Sequence, residues 1–322
     1  MNVVLTGSVA YDYLMTFPGQ FRDHILPEKL ETLSLSFLVE SMVRLRGGNA
    51  PNIAYTLAML GERPRLFATV GEDFEEYRHW LDSKGVDTTW AQVVPGVFTA
   101  SFFANTDRTN AQIASFYPGA MAFAANLSLK NLEGDLPDLV VISPNDPQAM
   151  VRYVDECLEL GLPYFYDPSQ QIVRLEKQSL RKGIEGAQAL FVNEYEFALI
   201  QKLTGMTKAD IHDRVKLLVV TLGEQGVSIS GASEEFHIPV VPAERIADPT
   251  GVGDAFRGGF IKAYGHGMDW ETCGRVGVLA ATYCLENQGP QGHHYTPIEF
   301  VSRFRRHFDD DGILDTLLGL HG

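Results

Sequence analysis

The chain has 322 residues, of which 26 are Lys or Arg and 41 are Asp or Glu, so its formal net charge at pH 7 is −15. This acidic balance argues against a nucleic-acid-binding protein, which normally presents a basic surface. It does not exclude an anionic small-molecule substrate, because backbone N–H groups and a bound metal ion can hold phosphate locally. With 45% apolar residues, the chain is able to bury a large hydrophobic core.

The cysteines and the N-terminal residues bear on the cellular compartment. Three cysteines without Cys-x-x-Cys spacing favour neither a disulfide framework nor a structural zinc site. The N-terminal residues lack the basic segment and uninterrupted apolar run of a signal peptide, and no apolar stretch is long enough to span a membrane. We therefore expect a soluble, cytoplasmic protein that binds neither nucleic acid nor membranes.

Short apolar runs alternate with helical patterns over most of the chain. The runs are rich in β-branched and aromatic residues and predict buried strands at 3–5, 66–70, 139–142, 164–166, 190–192 and 217–221. The helical patterns predict helices at 51–60, 74–84, 148–160, 194–202, 252–264 and 270–286. Such alternation indicates an α/β fold with a mostly parallel central sheet flanked by helices.

Two segments, residues 11–46 and 95–119, interrupt this alternation. They carry patches of alternating apolar and polar residues, at 32–39, 99–104 and 112–117, which are typical of antiparallel strands. Because both segments leave the α/β core and return to it, we expect them to pair with each other in a small β-sheet that forms a lid. The chain is then a single domain, residues 1–322, that includes the lid.

The most informative motif is Asp248-Pro-Thr-Gly-Val-Gly-Asp-Ala-Phe-Arg-Gly-Gly-Phe260, in which a turn of small residues precedes a helix. Free N–H groups of Gly251, Val252 and Gly253 would face one concavity, where the helix dipole adds positive potential. Asp254 can then accept a proton from a hydroxyl group that attacks a γ-phosphoryl group. A helix with an acidic first turn and no catalytic function explains the same residues. The absence of Gly-Lys and of an early G-x-G-x-x-G excludes a Walker P-loop and a dinucleotide fingerprint.

This motif resembles the C-terminal signature of the ribokinase-like (phosphofructokinase-B) kinases. Their N-terminal signature is similar to Gly47-Gly-Asn-Ala-Pro-Asn-Ile-Ala54, with Gly61 and Gly71 at the expected later spacings. Further segments resemble bacterial adenosine kinases, namely Thr6-Gly-Ser-Val-Ala-Tyr-Asp12, Ser34-Leu-Ser-Phe-Leu38, Ala111-Gln-Ile-Ala-Ser-Phe-Tyr-Pro-Gly-Ala-Met121, Asn145-Asp-Pro147 and Asp167-Pro-Ser-Gln-Gln171. Pro249 and Val252 depart from the commonest family wording, without changing the backbone donors or the carboxylate.

The resemblance implies a ribokinase-like fold with a β-sheet lid and ATP-dependent phosphorylation of the adenosine 5′-hydroxyl, which yields AMP and ADP in purine salvage. One alternative is a kinase of the same fold that acts on another nucleoside or on a sugar. A second is an inert nucleoside-binding homologue, against which the intact transfer motifs argue. The family also implies Mg²⁺ with ATP, activation by K⁺, and a homodimer formed through the exposed strands of the lid.

On the nucleotide side, the resemblance makes Asp254 the catalytic base and the amides of Gly251, Val252 and Gly253 the anion hole. Asn193-Glu-Tyr-Glu196 is similar to the family's N-x-x-E motif, in which Glu196 holds Mg²⁺ through water. The same spacing is also typical of a helix capping box. Asp248 matches a position that helps to bind K⁺. The remaining implied ATP contacts are Thr221, Gly223 and Gly226.

On the acceptor side, Asp12 matches the carboxylate that binds the ribose 2′- and 3′-hydroxyls, and Asn52 adds a ribose hydrogen bond. Gly48 permits close approach of the backbone. Phe102 and Phe116 would hold a purine between them by stacking, whereas Phe103 is expected to pack the lid. The other implied acceptor contacts are Ser8, Gln170 and Gln171. Arg174 and Arg257 are candidates either for the ATP phosphates or for ion-paired or surface arginines.

Overall fold

The computed structural model describes residues 1–32, 34–232 and 234–318. The strands are β1 (Val3–Thr6), β2 (Ala10–Thr16), β3 (Ser41–Gly47), β4 (Arg65–Val70), β5 (Ala91–Val93), β6 (Ala100–Thr106), β7 (Gln112–Tyr117), β8 (Leu139–Ile142), β9 (Tyr164–Tyr166), β10 (Ala189–Asn193), β11 (Leu217–Thr221), β12 (Val227–Ser230) and β13 (Glu235–Ile238). The helices are α1 (Asn49–Met59), α2 (Glu75–Ser83), α3 (Pro147–Leu160), α4 (Lys177–Glu185), α5 (Glu194–Thr204), α6 (Lys208–His212), α7 (Val252–Gly265), α8 (Trp270–Leu285) and α9 (Pro297–Phe304).

The main sheet has nine strands in the described part of the chain, in the order β13-β12-β11-β10-β9-β8-β1-β4-β5. β12 and β13 are antiparallel to their neighbours, and the other pairs are parallel. The six predicted strands and six predicted helices all form, with bounds within two residues of those predicted. The predicted mostly parallel α/β sheet is therefore confirmed.

Both faces of this sheet are buried, as a parallel sheet covered by helices requires. Along β1, Val3 and Leu5 share a core with α1, α7 and α8, whereas Val4 lies in the core on the opposite face with α3. This alternation places helices on each side of the sheet and leaves the carboxyl ends of its strands for the site. Among the described residues, no helix combines the length and apolar character that a membrane span requires.

The lid is a four-stranded sheet in the order β3-β2-β6-β7. β2 and β3 come from the first interrupting segment and β6 and β7 from the second, and β2 pairs in parallel with β6. The predicted pairing of the two segments is therefore confirmed. It holds the lid beside the carboxyl end of β1, because β2 follows β1 directly in the chain.

The strand predicted at residues 32–39 is wrong. Residues 34–39 form no strand, Leu33 lies outside the described residues, and the strand of this region is Ser41–Gly47 instead. Phe37 packs edge-on against the rings of Phe17 and Phe21, 5.0 and 4.9 Å away between ring centres. The apolar residues of this segment thus close a loop at the end of β2 rather than alternate across a sheet.

Candidate active site

Asp254 is the point at which the two signature motifs meet. It is the third residue of α7, and its side chain is buried. Asn49 and Asn52, in the first turns of α1, donate hydrogen bonds of 3.0 and 2.9 Å to its Oδ1 and Oδ2 respectively. Asn49 and Asp254 are 205 positions apart in the sequence, so the two signature motifs meet at this buried carboxylate. Asn49 belongs to the N-terminal signature, but no pattern in the sequence assigns it a function of its own.

The side-chain oxygens of Asn49 and Asn52 both accept hydrogen bonds from other residues of the protein. The Ser8 hydroxyl donates a 3.3 Å hydrogen bond to Oδ1 of Asn49, and Nε2 of Gln291 donates one of 3.0 Å to Oδ1 of Asn52. Each amide must therefore present its NH₂ group to Asp254. Ser8 and Asn52, both predicted to contact substrate, thus hold the carboxylate through protein contacts.

Burial raises the pKa of Asp254, while the positive charge of Arg257 and the hydrogen bonds from Asn49 and Asn52 oppose that rise. A carboxylate with a raised pKa is a stronger base than an exposed aspartate, because basicity follows the pKa of the conjugate acid. Asp254 is therefore suited to accept a proton from a hydroxyl group placed beside it.

The turn before α7 offers backbone donors next to Asp254. Gly251 has φ +80° and ψ 0°, a left-handed conformation that glycine adopts without strain, and a Cβ there would lie 2.3 Å from Cβ of Pro290. Within the described residues, the N–H groups of Gly251, Gly253 and Asp254 donate no hydrogen bond, whereas that of Val252 points to the Pro249 carbonyl at 3.4 Å. Free donors at a helix N-terminus form a site for an anion.

Asp248 links the turn to the loop after α8. Its Oδ1 accepts a 2.9 Å hydrogen bond from the N–H of Thr250, and its Oδ2 accepts bonds from the N–H of Gly289 (3.0 Å) and from Nε2 of Gln288 (3.2 Å). These contacts fix the glycine turn in place. The assignment of Asp248 to a K⁺ site stays a prediction.

Arg257 and Asp167 form a buried ion pair one turn along α7 from Asp254. Nη2 of Arg257 donates a 2.9 Å hydrogen bond to Oδ1 of Asp167, and Nε lies 2.6 Å from Oδ2. Burial raises the pKa of Asp167, and the guanidinium opposes that rise. Asp167 directly follows β9 and opens the Asp167-Pro-Ser-Gln-Gln171 segment, which is the only sequence signal that pointed to it. Arg257 is thus an ion-paired arginine.

The N-x-x-E residues form the capping box of α5. Oδ1 of Asn193 accepts the N–H of Glu196, and Oε2 of Glu196 accepts the N–H of Asn193, both at 2.8 Å. The Ser169 hydroxyl donates a 3.1 Å hydrogen bond to the other oxygen, Oε1. Within the described residues, no group of three His, Cys, Asp or Glu side chains could hold a metal ion. A single carboxylate here fits a magnesium ion that arrives with the phosphates of ATP and keeps most of its waters.

Thr221 lies next to Asn193 at the carboxyl edge of the sheet, because the two residues are partners in the parallel β10–β11 pair. The following turn contains Gly223 (φ +58°) and Gly226 (φ +94°). A Cβ on Gly226 would lie 2.0 Å from the carbonyl oxygen of Ile238, so the turn requires glycine for a close backbone contact. The structure thus brings the predicted ATP contacts to one edge.

Three predicted acceptor residues share one face of the lid. Asp12 on β2 is the register partner of Phe102 on β6, which is the partner of Phe116 on β7. Directly paired residues point to the same face of a sheet. Phe103 points to the other face, where its ring stacks on that of Tyr13 with centres 4.8 Å apart and an interplanar angle of 12°.

The carboxylate of Asp12 is free to bind a ligand. Within the described residues its side chain forms no hydrogen bond or ion pair. Burial, together with the negative charge of Asp248, raises the pKa of Asp12 to about 6. Gly47 makes room for it, since a Cβ on Gly47 would lie 2.6 Å from Oδ2 of Asp12. The lid face therefore presents an acceptor beside two phenyl rings, toward the loop of Asp248.

The remaining acceptor predictions are placed differently. Gly48 has φ +96°, and a Cβ there would lie 2.4 Å from the carbonyl oxygen of Ser8, so this glycine serves a contact within the protein. Gln171 is buried, and Arg174 lies at hydrogen-bond distance from its Oε1, 3.4 Å away. Oε1 of the exposed Gln170 lies 2.8 Å from the Ser169 hydroxyl oxygen. The two glutamines thus point in different directions.

A comparison with known families accounts for these motifs. Residues 8–296 match the sequence model of the pfkB family of carbohydrate kinases. The chain belongs to the pfkB family. This membership confirms the family and the ribokinase-like fold, with a large mostly parallel sheet and a smaller lid sheet, that the signatures predict.

Several known kinases resemble this one over almost their whole length. A nucleoside kinase of Burkholderia thailandensis, solved in complex with inosine, is 38% identical, with a TM-score of 0.84 over 95% of this chain and 98% of that protein. A nucleoside kinase of Methanocaldococcus jannaschii is 29% identical over 308 residues, 95% of this chain and 97% of that protein. The adenosine kinase of Sinorhizobium meliloti shares the fold, with 21% identity and a TM-score of 0.73 over 95% of this chain and 99% of that protein. The pfkB chain is therefore a nucleoside or sugar kinase, and the comparisons do not single out adenosine kinases.

Proposed function

We propose that this pfkB-family kinase transfers the γ-phosphoryl group of ATP to the 5′-hydroxyl of a purine nucleoside, with adenosine as the acceptor. The observation that carries this proposal is the position of Asp254. Two oriented amides hold its carboxylate beside the free N–H groups of the glycine turn. A base and an anion site side by side suit the transfer of a phosphoryl group to a hydroxyl.

In the proposed reaction, Asp254 accepts the proton of the 5′-hydroxyl as that oxygen attacks the γ-phosphorus. The N–H groups of Gly251 and Gly253 bind phosphoryl oxygens, on which negative charge is concentrated. Glu196 would hold Mg²⁺ through water, and the ion would neutralise part of the charge of ATP when bound. Phosphoryl transfer depends mainly on such positioning and charge stabilisation, so a carboxylate base is sufficient.

The lid supports a nucleoside rather than a free sugar as the acceptor. Asp12 offers two carboxylate oxygens to the vicinal hydroxyls of a ribose, but these contacts do not distinguish ribose from a nucleoside. Phe102 and Phe116 lie on the same lid face, and Phe116 is 49% exposed. An exposed ring beside the Asp12 carboxylate, which would bind the ribose, is suited to stack on a flat base.

Inosine is a second candidate acceptor. The Burkholderia thailandensis nucleoside kinase, at 38% identity, has been solved with inosine and also with ADP and inosine together. Adenosine and inosine differ at the purine 6-position, and stacking on a phenyl ring does not distinguish the two substituents at that position. A 6-amino and a 6-oxo purine can therefore occupy the same aromatic slot.

The proposal is tested by a phosphorylation screen with Mg-ATP over adenosine, inosine, guanosine, cytidine, ribose and fructose 6-phosphate. We expect the highest kcat/KM with adenosine and formation of the 5′-monophosphate, identified by mass spectrometry and NMR. A higher kcat/KM with inosine would favour the second candidate. More efficient use of ribose or fructose 6-phosphate would overturn the nucleoside assignment.

We also propose a homodimer formed through the lid, and activation by K⁺. β3 and β7 are the edge strands of the lid sheet, and Met42 and Ile113 on them are 62% and 46% exposed. Exposed edge strands favour pairing with another chain. A monomer by light scattering at micromolar concentration would contradict the dimer, and equal rates in KCl and in a tetramethylammonium salt would contradict K⁺ activation.

A further inference from the structure

Arg257 is held by one edge of its guanidinium group. The buried pair with Asp167 uses only Nε and Nη2. Within the described residues, the other terminal nitrogen, Nη1, donates no hydrogen bond. Nε of Arg257 and Oδ2 of Asp167 are fully buried polar atoms, whereas Nη1 keeps accessible surface. This nitrogen is therefore available as a donor to a bound ligand.

The position of Nη1 indicates which ligand it would contact. A Cβ built on Gly253 would lie 2.9 Å from it, so Nη1 lies directly beside the glycine turn. Arg257 also lies within the electrostatic influence of both Asp254 and Glu196. These carboxylates are the proposed base for the acceptor and the capping residue on the nucleotide side. Nη1 thus lies beside the glycine turn, on an arginine that is close to both of these carboxylates.

We propose that Arg257 is a catalytic residue that contacts the transferring phosphoryl group through Nη1, and that Asp167 is the positioning residue that orients its guanidinium. The inference rests on the proposed function, because it names a further contact to the same phosphoryl group. Gly253 is glycine for a matching reason, since any side chain there would meet the guanidinium.

The chemistry of the transfer explains what Arg257 contributes. The bond between the nucleoside O5′ and the γ-phosphorus forms while the bond from that phosphorus to the β–γ bridging oxygen breaks. The proton of the 5′-hydroxyl goes to Asp254, and ADP leaves with the bridging oxygen. Arg257 transfers no proton. Its N–H groups stabilise the charge on the equatorial oxygens, as the backbone donors of the turn do.

Asp167 holds the guanidinium group of Arg257 in a fixed orientation. A flexible arginine would lose conformational entropy each time it bound the phosphoryl group, whereas a guanidinium already held by an ion pair and one hydrogen bond loses less. The carboxylate also offsets part of the cost of burying the arginine charge. The pair is therefore a preorganised donor rather than a mobile side chain that closes on the substrate.

The test compares Arg257→Gln and Asp167→Asn with Lys262→Gln. Lys262 lies farther along the same helix, α7, and forms a buried 2.6 Å ion pair with Glu62 away from the site. Removing one donor to a developing oxyanion typically lowers kcat about 10²–10³-fold, and we expect a loss of this size for Arg257→Gln with KM values within about threefold. Asp167→Asn should lower kcat about tenfold, since it loosens the guanidinium without removing it. Lys262→Gln should lower the melting temperature and leave kcat unchanged.

A binding measurement separates the catalytic role from a structural one. ADP with aluminium fluoride and magnesium imitates the transferring phosphoryl group, whereas ADP with magnesium alone does not. Arg257→Gln should bind the aluminium fluoride complex at least tenfold more weakly than the wild type and bind ADP equally well. Arg257→Lys should recover part of this affinity and part of kcat, because a lysine supplies the charge without the fixed fork.

The inference is overturned if Arg257→Gln keeps kcat within threefold of wild type, or if its affinities for ADP and for the aluminium fluoride complex fall equally. Failure of the proposed function is a different result, in which the wild type forms no product from a nucleoside. The binding comparison needs no acceptor turnover, so it decides the role of Arg257 whichever acceptor the enzyme prefers.

Discussion

Gln291 donates a 3.0 Å hydrogen bond to Oδ1 of Asn52, and this contact determines which end of the Asn52 amide faces Asp254. Gln291 cannot reverse its own amide without losing contacts. Its Oε1 accepts a 3.1 Å bond from Nε1 of Trp80, and its Nε2 also donates to the hydroxyl of Tyr77. A residue 239 positions from Asn52 thus orients a donor to the proposed base.

Gln291→Glu should move the acid limb of the pH profile of kcat to higher pH. A carboxylate at 291 cannot donate to Asn52, so the amide turns and presents its oxygen to Asp254, whose pKa then rises further. We expect kcat at pH 7 to fall about tenfold or more, as for the loss of an oriented catalytic contact. Trp80→Phe, which removes only the donor to the far end of Gln291, should leave the limb in place. A lower melting temperature with an unmoved limb in Gln291→Glu would show a purely structural role.

Asp254→Asn should remove most turnover and leave nucleoside binding nearly intact. The substitution keeps the shape of the side chain and removes the proton acceptor, and general base assistance is typically worth about 10²–10⁴-fold. Steady-state kinetics give kcat, and calorimetry gives the affinity for adenosine in the absence of ATP. A variant that retained a third of wild-type kcat would show that Asp254 is not the base.

The sequence predicts the local parts of this site better than the contacts between them. The glycine turn and Asp254 are recognisable because consecutive residues create that geometry. Gln291 carries no local signal, and the segment that contains Asp167 does not reveal its partner, since both roles arise from side chains that meet across the fold. Asn193 and Glu196 show the converse: the spacing predicts a capping box or a magnesium motif, and the capping box forms.

The same physical limit applies to the fold. Strands of the parallel sheet are continuous apolar runs, so the local sequence predicts their positions. The hairpin of β12 and β13 has strands of four residues each, with only two apolar residues in either strand, and α6 spans only five residues. Such short elements are stabilised by neighbours rather than by their own pattern. The wrong strand at residues 32–39 arose because Phe37 alternates in sequence but packs in an aromatic cluster.

The KM for the nucleoside should rise as the pH falls through 6. The raised pKa of Asp12, about 6, means that the ionised form predominates above this pH and the protonated form below it. A protonated carboxyl offers fewer acceptors to the ribose hydroxyls. Between pH 7 and pH 5 the ionised fraction falls about tenfold, and the KM should rise by a similar factor. Asp12→Asn should show a high KM that does not vary over this range, and a pH-independent KM in the wild type would contradict the role of Asp12.

Glu196→Gln should increase the Mg²⁺ concentration needed for half-maximal activity. Glutamine can still accept the N–H of Asn193 and so preserve the cap, but it lacks the charge that attracts a hydrated cation. Titration of Mg²⁺ at fixed ATP measures the effect, and calorimetry of ATP binding with and without Mg²⁺ gives a second reading. Glu299→Gln is the matched control, since Glu299 completes the capping box of α9 with Thr296. Equal Mg²⁺ requirements in both variants would leave Glu196 with a capping role alone.

Phe116→Ala should raise the KM for adenosine strongly and leave the KM for ATP almost unchanged. Stacking of a base on an aromatic side chain is worth roughly 1–3 kcal/mol. At 1.4 kcal/mol per factor of ten, the loss of one ring weakens adenosine use by about 5- to 150-fold. ATP is proposed to bind along Thr221 and Gly223, at the carboxyl edge of the main sheet rather than on the lid, so its KM reports on unrelated damage.

Phe103→Ala is the matched control for this prediction. Phe103 is adjacent in sequence to Phe102 and comparably exposed, at 37% against 49% for Phe116, but its ring stacks on Tyr13 on the opposite face of the lid. Its removal should lower the melting temperature slightly and leave both KM values unchanged. If Phe116→Ala instead lost stability and weakened both substrates together, Phe116 would pack the lid rather than the base. The face of the lid, and not the number of aromatic rings on it, therefore decides which phenylalanine recognises the nucleoside.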